Sequence, residues 1–316
     1  MASKRSARSV PLDERHLRSA TRRAFETSAS QPLSRIRTVI GRLGQNSVAQ
    51  QRFMRGPECS LRNLHCSPHS STNAVSGTQR AAVKRMNRYI KLETSDGTFQ
   101  AYVARPAVLP APAVVVVQEL FGVNADLRET CDELATQGYL ALSPDLFWRL
   151  EPGVDMSDQS DAEWKKGFAL YSAFDYDKGV SDIVKTMQAA RALAGATGKV
   201  GLMGFCLGGL MTFLTTARQG ADASVVYYGG STEKHLNEAK SIKNPLLMHL
   251  GEEDEYIPEG ARKAIVEALA HNDCARVFTY PGCRHAFARH RGAHYDEEAA
   301  HLANGRTAAF LKTHLT

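Results

Sequence analysis

The stretch Lys199–Gly209, KVGLMGFCLGG, decides how this chain is read. Its first half is an apolar run fit for a buried strand, and LGGLMTFLTTARQ from Leu207 continues it as a helix. Between them stands Gly204-Phe205-Cys206-Leu207-Gly208, a G-x-C-x-G turn. A strand that turns sharply into a helix holds the residue at its apex in a strained backbone conformation, and bulky neighbours would clash there. The turn also sets the Cys206 thiol at a helix N-terminus, where free N–H groups and the helix dipole favour a thiolate and an oxyanion.

Working outward, strands alternate with helices. RYIKLET and FQAYVARP read as two strands joined at SDG, and APAVVVVQ as a core strand. ADLRETCDELATQG, residues 161 to 173 and residues 176 to 194 read as helices. ASVVYYGG, PLLMHLG and ARVFTYPG are further strands. PEGARKAIVEALAHN is a helix, and so is the C-terminus from about 294. The expectation is an α/β fold with a mostly parallel central sheet and helices on both faces, residues 86–316 forming one domain.

Charge separates the rest. Residues 1–90 carry 17 Lys and Arg against 4 Asp and Glu, a balance of +13. Residues 91–316 carry 22 against 29, a balance of −7. The overall +6 therefore belongs to the N-terminal part, and the folded part is not a nucleic-acid binder by charge. Residues 1–85 are rich in Arg, Ser, Gln and Asn and bury too little apolar surface to order, so they read as a disordered basic extension. Met86 opens a stretch that reads as a natural start, which would make residues 1–85 translated upstream sequence. An organelle transit peptide and a basic arm are the alternatives. No run approaches the roughly 18 apolar residues of a membrane span. The six cysteines have no regular spacing, which suits reduced thiols and a cytoplasmic location, with organelle import as the other outcome. Cys59, His65, Cys66 and His69 match no zinc spacing, so no metal is expected.

The partners of Cys206 follow in the order nucleophile, acid, histidine, the order of the α/β-hydrolase fold. Asp254 lies in GEEDEYIP after one strand, and His285 in YPGCRHAFAR after the last. Cys206, Asp254 and His285 are the expected triad. His285 takes or holds the thiol proton and Asp254 orients its ring. Glu119, straight after a core strand, is a carboxylate that is expensive to bury unpaired.

With QELFGVN, SPDLFWRLEPG, GFCLGG, VVYYGG, GEEDEYIP and HAFAR in place, residues 88–313 resemble the dienelactone hydrolase (carboxymethylenebutenolidase) family. The resemblance implies an α/β-hydrolase fold and a cysteine triad that opens a carboxylated enol-lactone, dienelactone to maleylacetate, without a cofactor. It implies that Glu119 pairs with the resting thiol and takes its proton once substrate binds. It gives the oxyanion hole to the amides of Leu120 and Leu207, and the substrate carboxylate to Arg149 and Arg289. Phe121 and Tyr227 are further candidates for the pocket lining. Ala286 departs from the pattern, where serine is common after the histidine. His290 and His294 read as surface residues.

The expected partner is thus a small anionic lactone or ester, with no nucleic acid or membrane, and the protein a monomer or weak oligomer. Another esterase or thioesterase on the same scaffold is the nearer rival, because fold and triad do not fix substrate. A non-catalytic protein using its basic tail on nucleic acid is the remoter one.

Overall fold

The computed structural model describes residues 88–316. The readings placed on residues 1–85, including Cys59, His65, Cys66 and His69, lie outside the described residues. Eight strands form one sheet: β1 Tyr89–Thr94, β2 Gly97–Ala104, β3 Ala111–Val117, β4 Leu140–Pro144, β5 Ala196–Phe205, β6 Ala223–Tyr227, β7 Leu246–Gly251 and β8 Ala275–Tyr280. Their order is β1-β2-β4-β3-β5-β6-β7-β8. β1 and β2 run antiparallel to their neighbours, and the remaining pairs are parallel.

Among the described residues there are six α-helices: α1 Ala125–Thr136, α2 Asp161–Ala173, α3 Tyr176–Ala192, α4 Leu207–Arg218, α5 Glu259–Leu269 and α6 Glu297–Leu315. Four start on side-chain caps. Asn124, Ser160, Asp175 and Asp296 each accept from a first-turn amide. In α2, Ser160 and Glu163 exchange bonds as a capping box. A 3-10 segment, Thr232–Ser241, follows β6; it carries a kink at His235 and had no clear periodicity in the sequence.

The core is the sheet's centre. Every residue of β3 is buried, as are those of β4, β6 and β7. Each fully buried valine of β3 contributes roughly 1.5–3 kcal/mol relative to exposure. Helix α4 is buried from Leu207 to Ala217, so it packs as an internal element rather than a surface one. After β3 the chain crosses to β4 on one side, then returns to β5 on the other. This reversal opens a crevice at the carboxyl ends of β3 and β5, the usual place for a ligand in such sheets. Register sets Val117 of β3 beside Gly204 of β5, and Phe205 beside Tyr227 of β6. The segments that leave these strands, carrying Glu119 and Cys206, therefore emerge side by side.

Candidate active site

Cys206 sits at the junction of β5 and α4 with φ 53° and ψ −115°, a left-handed conformation that non-glycine residues seldom adopt. The glycines around it explain how the turn closes. A Cβ on Gly204 would lie 2.0 Å from the Gly208 carbonyl oxygen, and one on Gly208 would lie 2.1 Å from that of Val117. The Cys206 amide donates to the Tyr227 carbonyl at 3.1 Å, which ties the apex to β6. The Cys206 side chain does not cap α4. Leu207 opens the helix, so its amide has no intrahelical partner. Among the described residues neither that amide nor the Leu120 amide donates to a protein acceptor.

His285 and Asp254 are both almost fully buried. His285 Nδ1 lies 2.8 Å from Asp254 Oδ2, while Asp254 Oδ1 accepts from the amides of Tyr256 and Ile257 at 2.8 and 3.1 Å. The carboxylate is thus fixed on both oxygens, and the ring is fixed by the carboxylate. His285 Nε2 is buried with no well-aligned hydrogen bond. Burial alone would lower the imidazole pKa, but the neighbouring Cys206 and the bond to the Asp254 carboxylate outweigh it and raise it to about 10. By contrast, burial pushes the Cys283 thiol up to about 11, and pushes Cys131 well above the ordinary range.

Glu119 lies across the crevice, 7% exposed. Gln118 orders its segment by accepting from the Leu146 amide at 2.9 Å. Glu119 Oε2 accepts from Arg289 Nε at 2.7 Å, and Oε1 is buried without a partner. Glu119 is therefore paired with Arg289 here and not hydrogen-bonded to the thiol. Arg289 also donates from NH1 to Asp158 at 2.8 Å and lies 5.0 Å from the centre of the Phe121 ring. Burial opposes its charge, but Glu119 and its other neighbours hold the guanidinium above its ordinary pKa. Beside this cluster, burial and then the charge of Glu119 raise the Asp126 carboxyl to about 6.

Two expected pocket residues lie elsewhere. All four hydrogen bonds of Arg149 go to Asp96 in the β1–β2 turn and Asp182 in α3, and its guanidinium stacks 4.1 Å from the centre of the Trp148 ring. Asp182 has no exposed side chain, so Arg149 neutralises a buried charge instead of waiting for a substrate. Tyr227 is 1% exposed, and its hydroxyl meets Asn304 and Thr307 of α6 at 2.8 and 2.7 Å. It belongs to a core network in which Thr307 also meets His249. Burial holds that histidine neutral, with a pKa of about 3. Phe121, fully buried, supports Arg289 from below rather than facing a ligand.

The sequence reading also missed residues. Asp158 sits in a loop 131 positions from Arg289, and nothing local marks it as a partner. Trp164 and Phe168, four apart on α2, had a visible helical spacing that reads equally well as core. His290 is not a plain surface residue, since its side chain is 26% exposed and lies 3.9 Å from Asp126. Among the described residues no cluster of His, Cys, Asp or Glu could hold a metal ion, and no helix is long and apolar enough to cross a membrane.

A mostly parallel sheet with a cysteine at the strained β5–α4 turn, beside a buried histidine–aspartate pair, defines an α/β hydrolase. Residues 99–315 match the family model of the Dienelactone hydrolase family. A putative carboxymethylenebutenolidase of Azospirillum brasilense is 47% identical over 222 residues, covering 70% of this chain and 95% of that protein. The carboxymethylenebutenolidase of Pseudomonas putida is 41% identical over 223 residues, covering 70% and 94%. Among solved structures, a putative dienelactone hydrolase from Klebsiella pneumoniae subsp. pneumoniae superposes with TM-score 0.63 at 29% identity, covering 71% and 97%. The chain belongs to the dienelactone hydrolase family and is a lactone or ester hydrolase.

Proposed function

We propose that this protein opens a carboxylated enol-lactone, dienelactone to maleylacetate, with Cys206 as nucleophile. The observation that carries the reading is the strained Cys206 at an uncapped helix start, coupled to the buried His285–Asp254 pair.

Cys206 Sγ attacks the lactone carbonyl. The resulting oxyanion is received by the free amides of Leu207 and Leu120. As the tetrahedral adduct collapses, the C–O bond of the ring breaks and the enolate leaves, then takes a proton at carbon to become a ketone. The thioester on Cys206 is cleaved by water that His285 deprotonates, and Asp254 keeps the ring oriented. Glu119, with one oxygen unpaired, is the acceptor for the thiol proton in the first step. Arg289 is the cation that meets the substrate carboxylate, and a carboxylate suits its planar fork. Arg149 has no part in this scheme, because Asp96 and Asp182 already occupy it. The chemistry calls for no metal or organic cofactor.

The test is decay of dienelactone ultraviolet absorbance with the purified protein and with Cys206→Ala. Fast decay that vanishes in the variant is expected. Equal decay in both would remove Cys206 from the reaction.

A further inference from the structure

A row of aromatic rings runs from Arg289 to the catalytic histidine. Phe121, beneath Arg289, meets Trp164 edge-on at 4.9 Å. Trp164 stacks on Phe168 at 5.6 Å, Phe168 lies 6.3 Å from Tyr256, and Tyr256 meets the His285 ring edge-on at 4.8 Å. The first ring is buried, but Phe168 is 40% and Tyr256 44% exposed. Large apolar side chains left open beside a catalytic histidine are a ligand surface rather than unfinished core. α2 is built to hold them there. Gly167 is its one buried residue, and a Cβ on it would lie 2.3 Å from the Leu120 side chain and 3.1 Å from the Leu120 carbonyl oxygen. The helix is thereby seated against the segment that supplies Glu119 and Leu120. Trp164 is fixed in turn by a bond from Nε1 to the Asp158 carbonyl at 3.0 Å.

Charge points the same way. Arg149 is spent on Asp96 and Asp182, and Arg289 already faces Glu119 and Asp158. Arg289 thus serves the carboxylate end of the cleft, and the end beside His285 presents aromatic surface instead.

We propose that Trp164, Phe168 and Tyr256 form a leaving-group subsite for a flat aromatic or conjugated alcohol portion of the substrate. The proposal rests on the cysteine-hydrolase reading and widens its substrates to aryl and enol esters. The side is fixed by chemistry. The C–S bond to Cys206 forms first, the C–O bond then breaks, and the oxygen departs as aryloxide or enolate from the place beside His285 that the water it deprotonates must next occupy. What lies beyond that oxygen then rests against Tyr256, which meets the His285 ring, and against Phe168 on the far side of Tyr256.

The experiment compares 2-naphthyl acetate with a fluoroalkyl acetate of equal leaving-group acidity. One additional ring contact amounts to about a tenfold preference in kcat/KM for the naphthyl ester. Phe168→Ala should bring the ratio of the two kcat/KM values towards one, and Phe168→Tyr should restore it. A ratio that Phe168→Ala leaves unchanged, or no naphthyl preference in the wild type, overturns the subsite. The cysteine reading fails separately, if Cys206→Ala still hydrolyses both esters. Calorimetric binding of 2-naphthol to Cys206→Ala needs no turnover. Binding that weakens about tenfold on adding Phe168→Ala supports the subsite. Binding that is absent, or equal in the two proteins, contradicts it.

Discussion

Arg289 balances two buried carboxylates on one guanidinium, and this makes Glu119 the most informative residue of the cleft. Removing one member of such a set leaves charge uncompensated, at a cost of about 3–5 kcal/mol. Glu119→Gln keeps the shape and removes the charge. Since the Glu119 charge helps raise Asp126, the variant should lower the Asp126 pKa from about 6 towards the ordinary carboxylate value, read by carboxyl NMR titration. An Asp126 that still titrates near 6 would mean burial alone sets its pKa. The same variant should slow acylation. Arg149→Met should cost stability by about 3–5 kcal/mol, because it strands Asp182, while KM for an anionic substrate stays near wild type. An unchanged Tm with a raised KM would return Arg149 to the substrate. At this scale the sequence was partly legible. Cys206, Asp254 and His285 stand out because each follows a strand end in order. Asp96 and Asp182, 53 and 33 positions from Arg149, carry no local mark of the task they share.

The elbow joins β5 to α4 and is the element on which the proposed chemistry depends. Gly208→Ala would drive a methyl against the Val117 carbonyl, and backbone cannot yield there without parting α4 from β3. A loss of about 3 kcal/mol or more is expected in denaturant unfolding, together with most activity. A variant of wild-type stability would show that the helix start has room to shift. Elements were the most legible part of the sequence, because periodicity and glycine, proline or capping signals coincide at their ends. β5 nonetheless begins at Ala196, earlier than the apolar run indicated, because its first residues are partly exposed. The 3-10 segment Thr232–Ser241 gave no signal, since only two of its ten residues are buried.

At the scale of the molecule, the charge asymmetry and the family match fall on the same division. The match spans residues 99–315, and the acidic balance belongs to residues 91–316. Removing residues 1–85 should therefore leave Tm and kcat/KM unaltered, and a clear fall in either would assign the segment to the working protein. The sheet order, with its reversal between β3 and β5, could not be read from strands taken one at a time. It is set by which strands pair, yet it is what brings the segments carrying Glu119 and Cys206 together. The most direct measurement of the central claim is rapid-quench mass spectrometry of the intact protein during ester or lactone turnover. The account predicts a transient acyl mass that maps to the Cys206 peptide and is absent from Cys206→Ala. Turnover without that adduct, or an adduct on another residue, would contradict it.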